Sequence, residues 1–141
     1  MRTRVFLDTN VFIYAFEFPD SNSAQIIEFL NREEIEAITS EKVIEELTQY
    51  FEKFHSLTLA RKVRRYVINT CIIILRNEIN EDTIKLKGVI KDKDIEQLAT
   101  TRKYGIKFLI SYDKDFEGIE EYMMPKKFLE YLDIQSKKSE F

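Results

Sequence analysis

VFLDTNVFIYAF, residues 5–16, sets one carboxylate, Asp8, between two apolar runs. The first run, RVFL at 4–7, is short and rich in β-formers, so it reads as a strand buried on both sides. A carboxylate at the end of such a strand is costly to bury unless hydrogen bonds, a cation or a metal compensate it. Asp8 therefore marks the point where the chain leaves the core and enters a polar site.

Outward from this point the pattern alternates. FPDSNS at 18–23 is a turn whose Ser or Asn residues can cap the helix AQIIEFLNREE, and IEAIT at 35–39 is a second strand with Thr39 or Ser40 placed to cap the next helix. In SEKVIEELTQYFEKF, the residues Val43, Ile44, Leu47, Tyr50, Phe51 and Phe54 recur at helical spacing. LTLARKVRRYVINT gives another helix, CIIILR a third strand, and NEDTIKLKGVIK a helix capped by Asn80. DIEQLATTRKYG forms a helix ending near Gly105, IKFLIS a fourth strand, and YMMPKKFLEYL a short strand followed by a last helix with Pro125 near its start. Strands alternating with helices imply right-handed crossovers. The expected fold class is α/β: a three-layer α/β/α sandwich around a central, mainly parallel sheet of four or five strands.

A chain of 141 residues suits one domain, read as 1–132 with a frayed tail at 133–141. Hydrophobic residues at 44% and charged residues at 33% exclude the composition of a disordered chain. No apolar run approaches the roughly 20 residues of a membrane helix, and the first residues do not show the basic-then-apolar layout of a secretory leader, so none is expected. A cytoplasmic protein with no membrane association is expected. The single cysteine, Cys71, has no internal disulfide partner and reads as a small core hydrophobe. A net charge of −3 does not advertise nucleic-acid binding, but acids gathered in one metal site would be cancelled locally, leaving lysines and arginines to face phosphates.

Ligands of an open parallel sheet bind beyond the carboxyl ends of its strands. Asp8 follows the first strand directly, and Asp113 lies just after the fourth in ISYDKDF. Counting about 100° per residue on the helix over 40–54 puts Glu45 nearly opposite the apolar face and Glu46 at its border, where it can lean over the sheet edge. Asp92 and Asp94 stand at the entrance to the next helix, where capping is the default role of an acid. Asp94 is also one turn before Leu98, beside the apolar face, and can point along the same edge. Acids gathered in this way call for a divalent ion, since like charges about 4 Å apart repel by roughly 4 kcal/mol near a protein surface. Oxygen-only ligands favour Mg²⁺ or Mn²⁺.

The ordered set VFLDTNVFIY, SEKVIEELTQYF, KDKDIEQLATTRKYGIKFLIS and YDKDF resembles the PIN-domain ribonucleases, including the VapC toxins, over nearly the whole chain. The resemblance implies that Asp8, Glu46, Asp94 and Asp113 are the catalytic residues and metal ligands. Asn10, Ser111 and Asp115 are auxiliary, and Asp92 is an alternative to Asp94. Ser111 stands where a threonine is frequent in the family and keeps the hydroxyl. The likeness further implies an endoribonuclease using Mg²⁺ or Mn²⁺ on single-stranded or structured RNA, a homodimer, and a small antitoxin protein as partner.

The basic stretch ARKVRRY together with Lys91, Lys93, Arg102, Lys103, Lys107 and Lys114 can track a phosphate backbone, although solvated helix faces are the default for most of them. Tyr14, Phe16 and Phe18 can stack on bases, with core packing expected for at least two. Two rival readings remain. An aspartyl-phosphate phosphatase also places Asp after its first strand, but resemblance to that class asks for a second Asp where this chain has Asn10. A catalytically silent RNA- or protein-binding module of the same fold is the other.

Overall fold

The computed structural model of the protein describes residues 2–139. Five strands, β1 (Thr3–Leu7), β2 (Ile35–Ser40), β3 (Ile72–Ile74), β4 (Phe108–Ile110) and β5 (Tyr122–Met123), pair in the order β3-β2-β1-β4-β5, every pair parallel. The helices are α1 (Thr9–Glu17), α2 (Asn22–Asn31), α3 (Glu41–Phe54), α4 (Leu57–Thr70), α5 (Asn80–Lys85), α6 (Ile95–Lys103) and α7 (Pro125–Ser139). The sandwich expected from the alternation is present, and its sheet is wholly rather than mainly parallel.

Val5, Phe6 and Leu7 of the central strand are fully buried, as a strand covered on both faces requires. The chain winds outward from β1 through β2 to β3, then crosses back to β4 on the other side of β1 and continues to β5. Right-handed crossovers therefore place α5 and α6 on the face opposite α1 to α4. The winding reverses between β1 and β4, and the crevice at such a reversal is where open α/β sheets take their ligands.

Serines start three of the helices: Ser21, Ser40 and Ser56 accept from the backbone N–H groups of Ala24, Val43 and Leu59. Each such cap contributes about 1 kcal/mol. Of the two candidates before α3, Ser40 is the cap, while the Thr39 hydroxyl donates to the Leu7 carbonyl at 2.9 Å and ties β2 to β1.

Several local expectations are corrected. Asn80 does not cap: it lies inside α5, which stops at Lys85 instead of running through the 80–91 stretch. The third strand is shorter than the CIIILR run, because it pairs with β2 alone and leaves Ile72 44% exposed at the sheet edge. On α3, Val43, Ile44, Leu47 and Phe51 are buried, but Phe54 is exposed and rests on the Tyr50 ring at 4.8 Å. The last helix, expected over YMMPKKFLEYL, extends to Ser139, and 140–141 of the expected tail lie outside the described residues. No helix among the described residues is long and apolar enough to cross a membrane.

Candidate metal centre

Strand register sets the first side chains. Leu7 pairs with Ile110, so Asp8 and Ser111 leave the sheet side by side, and the Asp8 N–H donates to the Ile110 carbonyl at 3.1 Å. Asp8 opens α1, with its Oδ1 accepting from the Thr9 N–H at 2.8 Å. Its Oδ2 accepts from the Ser111 hydroxyl at 2.7 Å, and Gln97 Nε2 approaches Oδ1 at 3.5 Å. Asp8 is 4% exposed. Burial, opposed by these hydrogen bonds and reinforced by the nearby Glu46 charge, pushes its carboxyl up to about 6.

Glu46 joins through Thr9, whose hydroxyl donates to Glu46 Oε1 at 2.6 Å. It is half-buried, whereas Glu45 one residue earlier is exposed and paired with Arg76 at 3.0 Å. The angular reading of α3 thus separates the two glutamates correctly. Asn10 braces the other side: its Nδ2 donates to Ser111 Oγ at 3.2 Å and its Oδ1 accepts from the Tyr112 N–H at 3.1 Å. Ser111 Oγ also accepts from the Asp113 N–H at 3.0 Å, so one hydroxyl links Asp8 to the turn that carries Asp113.

Asp94, Asp113 and Asp115 form a trio whose ligand oxygens lie within 4.8 Å of one another. Asp94 stands at the cap position of α6 without using its side chain as a cap, so the ordinary role of an acid at a helix start is not taken. Its carboxyl is raised by burial, countered by Lys93 and reinforced by the charge of Asp113. Lys93 reaches into the trio, with Nζ 2.7 Å from Asp113, 3.0 Å from Asp115 and 3.0 Å from Asp94. Lys91 takes Asp115 at 3.1 Å, and the two lysines hold the Asp115 carboxyl below its ordinary value.

Three observations bear on whether a divalent cation fits here. The donors are all carboxylates, with no His or Cys among them, which suits Mg²⁺ or Mn²⁺ and not zinc. An ammonium already stands among the trio where a cation would neutralise it. Gln97, 3% exposed and touching Asp8, keeps an Oε1 with no hydrogen-bond partner among the described residues, an acceptor available to a ligand of the site.

The structure therefore brings Asp8, Glu46, Asp94 and Asp113, with Asn10, Ser111 and Asp115, into one contiguous network. Asp8 and Glu46 lie outside the tight trio, and Asp115, expected as auxiliary, lies inside it. Asp92 does not join the trio: it is exposed and lines a groove with Lys42, Glu46, Arg76 and Glu96. Thr9 and Gln97 are residues of this network that the sequence did not single out, and Lys93, read there as able to contact phosphate, pairs instead with the acids. Nothing local marks Thr9 or Gln97, since each meets its partner only across the fold.

Other candidates fall elsewhere. Cys71 lies at the start of β3, the end of the sheet remote from Asp8, and burial pushes its thiol up to about 11, so no thiolate is available there. Arg61, Lys62, Arg64 and Arg65 are exposed on α4 and form no ion pair among the described residues, while Arg102 pairs with Glu121 and Lys103 with Asp82. Only Phe16 of the three early aromatics packs against the core. Tyr14 and Phe18 are 44% and 52% exposed, and Tyr14 rests on Tyr112 at 4.6 Å, contrary to the expectation that at least two would be core.

A fold of this winding with acids at its switch point defines a class, and the family comparison agrees. A profile of the PIN domain matches residues 4–115, and the chain belongs to that family. Among solved structures, a toxin-antitoxin complex from Klebsiella pneumoniae shares 24% identity over 86% of this chain and 97% of its own, with a TM-score of 0.68. VapBC2 from Rickettsia felis, bound to a promoter DNA fragment, shares 15% over 86% and 97%, with a TM-score of 0.61. The Mycobacterium tuberculosis toxin VapC20, described as cleaving the sarcin-ricin loop, shares 17% over 79% and 92%, with a TM-score of 0.60. These similarities establish a common fold. No curated protein sequence matches the chain.

Proposed function

We propose that this PIN-domain protein is an endoribonuclease dependent on Mg²⁺ or Mn²⁺, hydrolysing phosphodiester bonds of single-stranded or structured RNA as the toxin of a toxin-antitoxin pair. The observation that carries the reading is the network joining Asp8, Glu46, Asp94, Asp113 and Asp115, which come from well-separated elements, at the switch point of the sheet. Asp8, Glu46, Asp94 and Asp113 would hold the cation, with Asp115 beside them. When bound, such an ion supplies an activated water and neutralises charge on the phosphate.

The chain's own part is preorganisation. Ser111 fixes one oxygen of Asp8 and the Thr9 N–H the other, so the carboxylate keeps its orientation. Thr9 holds Glu46 toward Asp8, and Asn10 fixes the turn that presents Asp113. Asn10 is thereby committed to bracing that turn, which weighs against the phosphatase reading. The toxin role and an antitoxin partner are supported by the family and by its structural neighbours, two of which are described as toxin-antitoxin assemblies, and a homodimer is part of the proposal through the family resemblance alone.

Incubation with labelled single-stranded RNA in Mn²⁺, Mg²⁺ or EDTA tests the activity. Cleavage with either ion, none in EDTA, and loss in a folded Asp8→Asn variant are expected. Cleavage that survives EDTA, or an Asp8→Asn variant as active as the parent, would overturn the reading; RNA retained without cutting under all conditions would favour a silent binding module.

A further inference from the structure

Lys93 has no part in the proposed catalytic set, yet its ammonium sits among three of the acids. It contacts Asp113 Oδ2 at 2.7 Å, Asp115 Oδ2 at 3.0 Å and both oxygens of Asp94 at 3.0 and 3.2 Å. Its backbone is anchored: residues 92–94 form a 3₁₀ turn, the Asp94 N–H donates to the Lys91 carbonyl at 2.9 Å, and the Lys42 ammonium donates to the Lys93 carbonyl. The side chain is 54% exposed, so it can swing to solvent without disturbing the core.

A divalent cation and an ammonium cannot both use the same carboxylate oxygens. We infer that Lys93 is a built-in competitor for the cation: it fills the cradle of Asp94, Asp113 and Asp115 in the metal-free protein and must leave before the ion can enter. The inference rests on the metal centre proposed above. It gives Lys93 two consequences at once, holding three like charges together without metal and setting how much free cation is needed for loading. A lysine positioned for substrate phosphate alone would keep the same exposure with and without the ion, whereas a competitor is released as the ion enters.

The test is Mn²⁺ titration by calorimetry, without RNA, of the parent, Lys93→Met and Lys93→Arg. Three partly exposed ion pairs, each worth a few tenths of a unit in log affinity, predict that Lys93→Met binds Mn²⁺ about tenfold more tightly while Lys93→Arg stays near the parent. Lys93→Met should also unfold at lower temperature in EDTA and recover with Mn²⁺. Should that variant fail to fold without metal, the parent alone decides. Acylation of its amines, followed by mass spectrometry, should label Lys93 faster in saturating Mn²⁺ than in EDTA.

Equal or weaker Mn²⁺ binding by Lys93→Met, or labelling unchanged by Mn²⁺, would overturn the inference while leaving the metal centre standing. Absence of Mn²⁺ binding by parent and variant alike would overturn both.

Discussion

Asp8→Asn removes one negative charge from a position that is 4% exposed while keeping nearly the same shape. The Asp8 carboxyl lies at about 6 in the folded protein against 3.8 in the absence of its surroundings. Ionised Asp8 therefore costs the metal-free fold roughly 3 kcal/mol at neutral pH. An amide escapes that penalty but cannot accept from Ser111 with its nitrogen, which returns about 1 kcal/mol. In EDTA at pH 8 the variant should be more stable by about 2 kcal/mol, a rise in melting temperature of about 6 °C.

The dependence on pH follows from the sign of the shift. A carboxyl raised above its unfolded value gives stability that is fully present below pH 3.8 and lost as pH rises through about 6. The advantage of Asp8→Asn should thus be absent near pH 4, grow across that interval and level off above it. Thermal unfolding followed by circular dichroism from pH 4 to 8 checks this. Saturating Mn²⁺ should reverse the order, since a ligand at about 100 times its Kd adds roughly 2.7 kcal/mol to the parent alone. A variant less stable than the parent at pH 8 in EDTA, or a difference that does not vary with pH, would refute the reasoning.

Ser111→Ala removes the donor to Asp8 and the acceptor for Asp113 from a fully buried position, and should cost roughly 1–3 kcal/mol in denaturant melts together with most of the cleavage rate. Asp94→Asn should abolish cleavage whereas Asp92→Asn should leave it within about threefold of the parent, a change under ~1 kcal/mol, when rates are compared at saturating Mn²⁺. Arg76→Ala strips the 2.7 Å partner from Glu96, whose side chain is only 10% exposed, and should lower stability by about 1–3 kcal/mol. Cleavage per folded molecule should persist in that variant.

What the sequence disclosed was carried by patterns that one segment completes alone. β1 is a short apolar run closed by Asp8, α3 displays its apolar face over four turns, and Ser21, Ser40 and Ser56 stand where caps belong. Glu46 could be chosen over Glu45 because helix geometry fixes the angle between them. Interactions joining distant segments were not legible. Lys93 reads in the sequence as a phosphate contact or a solvated lysine, and only the turn at 92–94 meeting the turn after β4 makes it a partner of Asp113 and Asp115. Asn80 had the right residue type for a cap, but the preceding 3₁₀ turn at 76–79 moved the helix start. Asp94 has the position of a cap, but its place one turn before Leu98 already pointed it along the sheet edge, and its carboxylate joins Asp113 and Asp115 instead of capping.

The central claim is that carboxylates from β1, α3, the start of α6 and the turn after β4 share one divalent cation. Anomalous diffraction from crystals soaked in Mn²⁺ tests it most directly. A manganese peak bounded by Asp8, Glu46, Asp94 and Asp113, with Lys93 turned away, is predicted. Saturated crystals with no peak at these carboxylates, or with manganese bound only elsewhere on the surface, would contradict it.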